Sequence, residues 1–162
     1  MRFILGSGEQ LKEKLKDFPS PWVNYLLAAK ILVIGMIDGE IVAAYGIRSM
    51  FNVVTLYVKE GYRGRGIGGQ MFEKLINAAQ KHGFDFLTAA VFHQNTAALK
   101  LFSRFGCRVI KHPKKGNDVI IVCPLTMKGD LTYRFLRIAC SMVPDEFLAQ
   151  ADAWISKRTT LK

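Results

Sequence analysis

Apolar and polar positions recur with two different periods along this chain, and the changes of period predict its elements. Residues 2–5 read as a short first strand, with Gly6-Ser7-Gly8 as a turn. Residues 9–18 carry Leu11, Leu15 and Phe18 at helical spacing and run into Pro19 and Pro21, which predicts a helix stopped by proline. Residues 22–29 predict a second short apolar helix. Two strand-like runs, 31–37 and 41–48, flank Asp38-Gly39, and an Asp-Gly pair between apolar runs is a strong hairpin signal. Residues 52–58 are rich in β-branched and aromatic side chains, which fits a third strand. The period then changes. Ile67, Met71, Leu75 and Ala78/Ala79 share one face of a helix that ends at His82-Gly83, with Gly83 in the C′ position.

Further on, residues 85–92 predict a strand. Residues 94–106 predict a helix capped by Asn95 or Thr96, with Ala98, Leu101, Phe102 and Phe105 on its apolar face and Gly106 at its end. Residues 107–112 and 119–124 read as a closing pair of strands joined by the turn 113–118. Leu131, Phe135, Ile138 and Met142 then fall on one helical face. After Pro144, Phe147, Leu148, Ala151, Trp154 and Ile155 fall on another. Two terminal helices packed on the domain's own sheet are the expectation.

Composition narrows the class. A chain of 162 residues is one domain's worth and can bury a core without metals or disulfides. With 50% hydrophobic and 22% charged residues, extensive disorder is excluded. No apolar run approaches a membrane span, and Met1-Arg2-Phe3-Ile4-Leu5 is too short for a signal peptide. The three cysteines, Cys107, Cys123 and Cys140, are odd in number and lack metal-ligand spacing; they read as free thiols in a reducing cytosol, with no metal. The net charge of +10 suits an anionic ligand, and equally RNA, a ribosome or a membrane surface. Its positive residues are scattered, so a solvated basic surface accounts for them as well.

The stretch with chemistry in it is Asn52 to Gly69. A strand leads into Arg63-Gly64-Arg65-Gly66-Ile67-Gly68-Gly69, two arginines among four glycines, and this leads straight into a helix. The first turn of a helix has backbone N–H groups without partners and a partial positive charge, so it suits an anion. Glycines let a phosphate approach closely, and arginines add paired donors. A pyrophosphate is the natural guest. Gly64-x-Gly66-x-x-Gly69 matches the dinucleotide fingerprint literally. That fingerprint needs an acid at the end of the next strand, whereas Asp85 precedes it, and a hairpin precedes the loop. A surface turn with solvated arginines is the plain alternative.

Arg63-x-x-Gly66-x-Gly68 after a strand resembles the acyl-CoA pyrophosphate loop of the GNAT superfamily of N-acyltransferases. Val91-x-x-x-Asn95-x-x-Ala98-x-x-x-Phe102-x-x-x-Gly106 is similar to the second coenzyme-binding block of that superfamily, at matching separation. The resemblance covers roughly residues 31–124. It implies an α+β fold in α/β/α layers: a mixed, mostly antiparallel central sheet with a splayed parallel strand pair, and a helical C-terminal extension. The acyltransferase domain would span 1–125 and the extension 126–162. It implies acetyl-CoA as cosubstrate. Leu56, Tyr57 and Val58 would offer main-chain contacts to pantetheine, and an N–H, that of Val58, would face the acyl carbonyl. Arg63, Gly64, Arg65, Gly66, Ile67, Gly68 and Gly69 would hold the pyrophosphate. Asn95 would bond the pantetheine or phosphate region, with Ala98 and Phe102 flanking the arm. The acceptor would be a primary amine of a small molecule or protein, in the cytoplasm, with no membrane, no favoured nucleic acid, and a homodimer as a common assembly.

Here the chain departs from the resemblance. Phe102 stands where many such proteins carry a tyrosine that protonates the leaving thiolate, and Ala90 and Asn52 stand where others carry a glutamate base. His93 and, from the tail, Tyr133 are the substitute candidates. Positioning alone can contribute ~7–11 kcal/mol. Trp22 and Tyr25 are acceptor-wall or core residues. The alternatives to an N-acetyltransferase are a catalytically silent acyl-CoA-binding module and, on charge alone, an RNA- or ribosome-associated protein.

Overall fold

A computed structural model describes residues 1–16, 18, 22–48, 52–111 and 118–142. The chain forms two compact units, Met1–Ala89 and Ala90–Lys162.

In the first unit four antiparallel strands lie in sequence order: β1 (Arg2–Gly6), β2 (Ile31–Ile37), β3 (Glu40–Ile47) and β4 (Val54–Val58). The β2–β3 hairpin turns on Asp38 and Gly39 with φ of 50° and 83°, the doubly positive pair that a two-residue turn with the right twist requires. β2 is buried on both faces because period-two alternation sends its side chains to two helical layers. Leu32 and Ile34 join Leu11, Leu15, Phe18 and Leu26 in one cluster. On the other side α1, the short helix Trp22–Leu27, has no part; there α2 (Ile67–Lys81) packs on β2 and β3 through Ile67, Met71, Phe72 and Leu75. Gly35 makes room for it, since a Cβ there would lie 2.7 Å from Met71 Sδ.

The helix predicted over 9–18 is a single 3₁₀ turn, Lys12–Leu15. Ser7 N–H donates to Gln10 Oε1 (2.9 Å) and Gln10 N–H to Ser7 Oγ (3.2 Å), which closes the start. Gly8 N–H donates to Ala29 O (2.9 Å) and ties the segment to the end of the α1 region. Leu11, Leu15 and Phe18 are buried all the same, so the apolar spacing is met by tight turns instead of a full helix. The side chains of Trp22 and Tyr25 lie outside the described residues, as does the turn 113–117.

β5 (Phe86–Phe92) begins in the first unit and ends in the second. The second unit continues with α3 (Thr96–Arg104), β6 (Arg108–Lys111), β7 (Asp118–Pro124) and α4 (Met127–Met142). The three-stranded sheet has the order β5-β7-β6, so the strands fall into two sheets that part between β4 and β5. This is the α+β architecture expected.

One expectation is corrected here, and another is met through a different face of the helix. Cys107 and Cys123 are not free thiols: they form a disulfide. Arg108 pairs with Val122 across the β6–β7 ladder, which puts Cys107 and Cys123 opposite one another, a cross-strand relation that sequence spacing does not reveal. On α4, Leu131, Phe135, Ile138 and Met142 do not pack on the sheet; they are 59%, 70%, 56% and 77% exposed. The helix meets β6 and β7 through the face of Gly129 and Tyr133. Arg108 on β6 joins Asp130 Oδ1 (2.6 Å) and lies 5.1 Å over the Tyr133 ring, so ionic and aromatic contacts choose that face. Tyr133, a candidate acid, is thereby buried under Arg108. The second terminal helix, after Pro144, lies outside the described residues. Among those residues no helix is long and apolar enough to cross a membrane.

Candidate functional site

β4 and the loop behind it are built from one continuous stretch of the first unit. Arg48 N–H donates to Val53 O and Lys59 N–H to Val42 O, both at 2.9 Å, so odd-numbered residues turn their main chain toward β3. Antiparallel alternation then turns the main-chain groups of Val54, Leu56 and Val58 to the opposite edge and leaves those of Tyr57 in the β3 ladder. The Tyr57 ring packs edge-on against Phe18 at 5.2 Å.

At that outer edge, pairing with β5 is brief. Among the described residues it consists of one isolated parallel bridge, Val53 to Thr88. Asn52, at φ 53°, fastens the start: its side-chain Nδ2 donates to Phe86 O (2.8 Å) and its carbonyl accepts from Thr88 N–H (3.1 Å). β4 is the last strand of its sheet, so Leu56 and Val58 present main-chain groups on an open edge.

Glu60–Tyr62 forms one 3₁₀ turn, and the chain then enters the glycine loop. Gly64 and Gly66 take φ of 76° and 75°, and Gly66 caps α2 from the left-handed region. A Cβ at Gly64, Gly66 or Gly69 would meet nothing within 4 Å, so the loop is an open cradle and its glycines serve backbone shape and access. The N–H groups of Ile67 and Gly68 belong to the first turn of α2 and have no intrahelical acceptor.

Charge is fixed around this cradle by a network that sequence reading missed. Glu40, at the start of β3, accepts from Lys59 Nζ (2.6 Å) and from the Tyr62 hydroxyl (2.7 Å). The Arg65 guanidinium lies 5.4 Å from the centre of the Tyr62 ring. The hydrogen bond from Lys59, then that from Tyr62, holds the Glu40 carboxyl below the usual range. The same bond to Glu40 raises the Tyr62 hydroxyl above its own. Arg63 turns back, its Nε donating to Val58 O (3.1 Å), so of the two loop arginines Arg65 is the one held against the Tyr62 ring. The only sequence signal for Glu40 was an acid directly after the Asp38-Gly39 turn, 22 positions from the tyrosine it holds.

In the second unit, α3 carries the other predicted residues. Asn95 caps it, its Oδ1 accepting from Ala98 N–H (3.1 Å) and leaving the amide nitrogen as the half that could meet a ligand. Ala98 is half-buried and Phe102 is buried. Gly106 (φ 72°) ends the helix, with Cys107 N–H donating to Phe102 O (3.1 Å). His93 is exposed in the turn after β5, its ring 5.2 Å from that of Phe92.

Comparison with known proteins bears on this arrangement. The model of the acetyltransferase (GNAT) family matches residues 8–107. A Bacillus subtilis protein named "Putative phosphinothricin acetyltransferase YwnH" is 34% identical over 53 residues, a match spanning 33% of this chain and about a third (32%) of that protein. A B. subtilis acetyltransferase solved in complex with CoA superposes with a TM-score of 0.58 at 20% identity, covering 77% of this chain and 99% of its own. The ribosomal-protein-S18-alanine N-acetyltransferase of Escherichia coli superposes at 0.56 with 18% identity, covering 78% and 96%. The two structures share the fold.

Proposed function

The chain belongs to the acetyltransferase (GNAT) family, and from that premise we propose that it binds acetyl-CoA along β4 and the glycine loop and transfers the acetyl group to a primary amine. The observation that carries the proposal is the continuity of an open strand edge at Leu56 and Val58 with a glycine cradle at the N-terminus of α2. The bound coenzyme supplies the activated acyl group and a thiolate leaving group.

The residues divide the work. The N–H groups of Ile67 and Gly68, with the dipole of α2 behind them, receive the pyrophosphate, and Arg65 closes over it. The main-chain groups of Leu56 receive the pantetheine amides as an added strand would. Val58 N–H, on the same edge, faces the acyl oxygen and stabilises the negative charge that grows there as the amine attacks. Asn95, Ala98 and Phe102 are assigned to the arm of the coenzyme by their resemblance to the family's second block. Asn52 supplies no base, since its amide and carbonyl fasten β4 to β5. His93, exposed beside this chain's second block, is the proton acceptor of choice.

Titration calorimetry with acetyl-CoA tests the binding step. Saturable binding that Arg65→Glu abolishes is expected, and absence of binding by the parent protein overturns the reading. Thiol release in the presence of a panel of amines tests the transfer step. Binding without any turnover would favour the second reading, a silent acyl-CoA-binding module, for which Phe102, Ala90 and Asn52 speak.

A further inference from the structure

The disulfide sits at a junction. Cys107 stands between Gly106, where α3 ends, and the first residue of β6. Its N–H donates to Phe102 O (3.1 Å) and closes the last turn of α3, while its sulfur is bonded to Cys123 on β7. Its neighbour Arg108 holds β6 to α4 through Asp130. Cys107 is half-buried and Cys123 is 1% exposed, so a reagent from solvent reaches the bond at Cys107. The bond is not what builds this unit. Val119, Ile121 and Val122 are buried on β7, and the β6–β7 ladder and the Arg108–Asp130 pair hold the two strands and α4 together without it.

We propose that Cys107 and Cys123 are a redox-active pair, opened by a small thiol that attacks Cys107, and that opening loosens the end of α3 and weakens coenzyme binding. The exchange balances. A thiolate attacks the Cys107 sulfur; a new S–S bond forms there, the bond to Cys123 breaks, and Cys123 leaves with the electron pair and takes up a proton. A second thiolate attacks the sulfur of the bound small thiol and releases Cys107, which is protonated in turn. The pair gains two electrons, and two small thiols become one disulfide. The way back stays open because the ladder keeps the thiols opposed: the two Cα atoms are 4.0 Å apart, and Arg108 pairs with Val122 beside them. What opening removes is the covalent tie between the last turn of α3 and β7. The effect on the coenzyme rests on the proposed function, in which Phe102 flanks the pantetheine arm.

Glutathione without denaturant is the probe, applied to the full chain in a Cys140→Ser background so that every thiol counted belongs to the pair. Both thiols are expected to become open to alkylation, and to close again in glutathione disulfide. The amides of 102–107 are expected to exchange several-fold faster in the reduced protein than in the oxidised one, while those of α2 are unchanged. The Kd for acetyl-CoA is expected to rise several-fold on reduction, and Cys107→Ser and Cys123→Ser are expected to match the reduced protein. A bond that opens only in denaturant overturns the proposal, and so does opening that leaves exchange at 102–107 unchanged. Saturable acetyl-CoA binding of equal strength in both states overturns the control of binding alone. Failure to bind acetyl-CoA in either state overturns the coenzyme reading and takes that control with it.

Discussion

Helix α2 buries Ile67, Met71, Leu75 and Ala78 on β2 and β3; helix α4 holds Leu131, Phe135, Ile138 and Met142 out to solvent and packs through Gly129 and Tyr133. Both stripes have the period of an amphipathic helix. The difference lies in what each helix meets. α2 faces the apolar side of two long strands, with Gly35 leaving space for Met71. α4 faces β6 and β7, where Arg108 offers an ionic partner to Asp130 and a cation for the Tyr133 ring. Periodicity therefore says that a helix has an apolar face, and the neighbour decides whether that face is the one used.

A matched pair of substitutions measures the contrast. Leu75 is fully buried and Leu131 is 59% exposed, so removing the same atoms from each isolates burial. Leu75→Ala is expected to cost about 2–5 kcal/mol of unfolding free energy. Leu131→Ala is expected to cost less than half as much, because more than half of Leu131 is at the surface already. Equal losses in chemical denaturation would erase the distinction between the two helices.

A second pair sharpens the view of α2 as a binding end as well as a packing surface. Gly66 and Gly69 both border open space, but only Gly66 has positive φ. Gly66→Ala is expected to destabilise by about 1–2 kcal/mol through left-handed strain, and to weaken acetyl-CoA binding by an order of magnitude or more as the loop shifts. Gly69→Ala, in ordinary helical geometry, is expected to stabilise by about 0.5–1 kcal/mol while still crowding the phosphate. Calorimetry and thermal melts on the same two proteins separate the effects, and a melt lowered equally in both would show that φ is not what sets Gly66 apart.

Much of this was legible in the sequence where a local rule was enough. Asp38-Gly39 announced its hairpin, Gly83 and Gly106 their helix ends, and Arg63 to Gly69 the turn from strand to helix. What escaped needed partners distant in sequence. Which of Leu56, Tyr57 and Val58 turns its main chain outward depends on the register with β3, fixed by Val42 and Arg48. Asn52 read only as a missing base; its fastening of β4 to β5 rests on bonds to Phe86 and Thr88, more than 30 positions away (34 for Phe86). Cys107 and Cys123 read as thiols because the β6–β7 register that faces them was unknown.

The finest test concerns the network behind Arg65. Glu40 titrates below its ordinary value of 4.5 in the folded protein, so what it contributes is present above that value and is lost as pH falls through the lowered one. Tyr62 titrates above its ordinary value of 10.0, so its share is present below that value and is lost as pH rises through the raised one. Between those limits Glu40 anchors Lys59 and Tyr62, and the Tyr62 ring supports Arg65. Glu40→Gln keeps the shape and removes the charge, so acetyl-CoA binding is expected to weaken a few-fold at neutral pH. The ratio of the two Kd values is the informative quantity, because titration of the coenzyme's own phosphates cancels in it. That ratio should approach one as acid protonates Glu40 in the parent protein and makes it resemble the variant. A ratio that stays constant into the acid range would mean that Glu40 acts on the loop by its shape alone, and Arg65 would then need another source for its position.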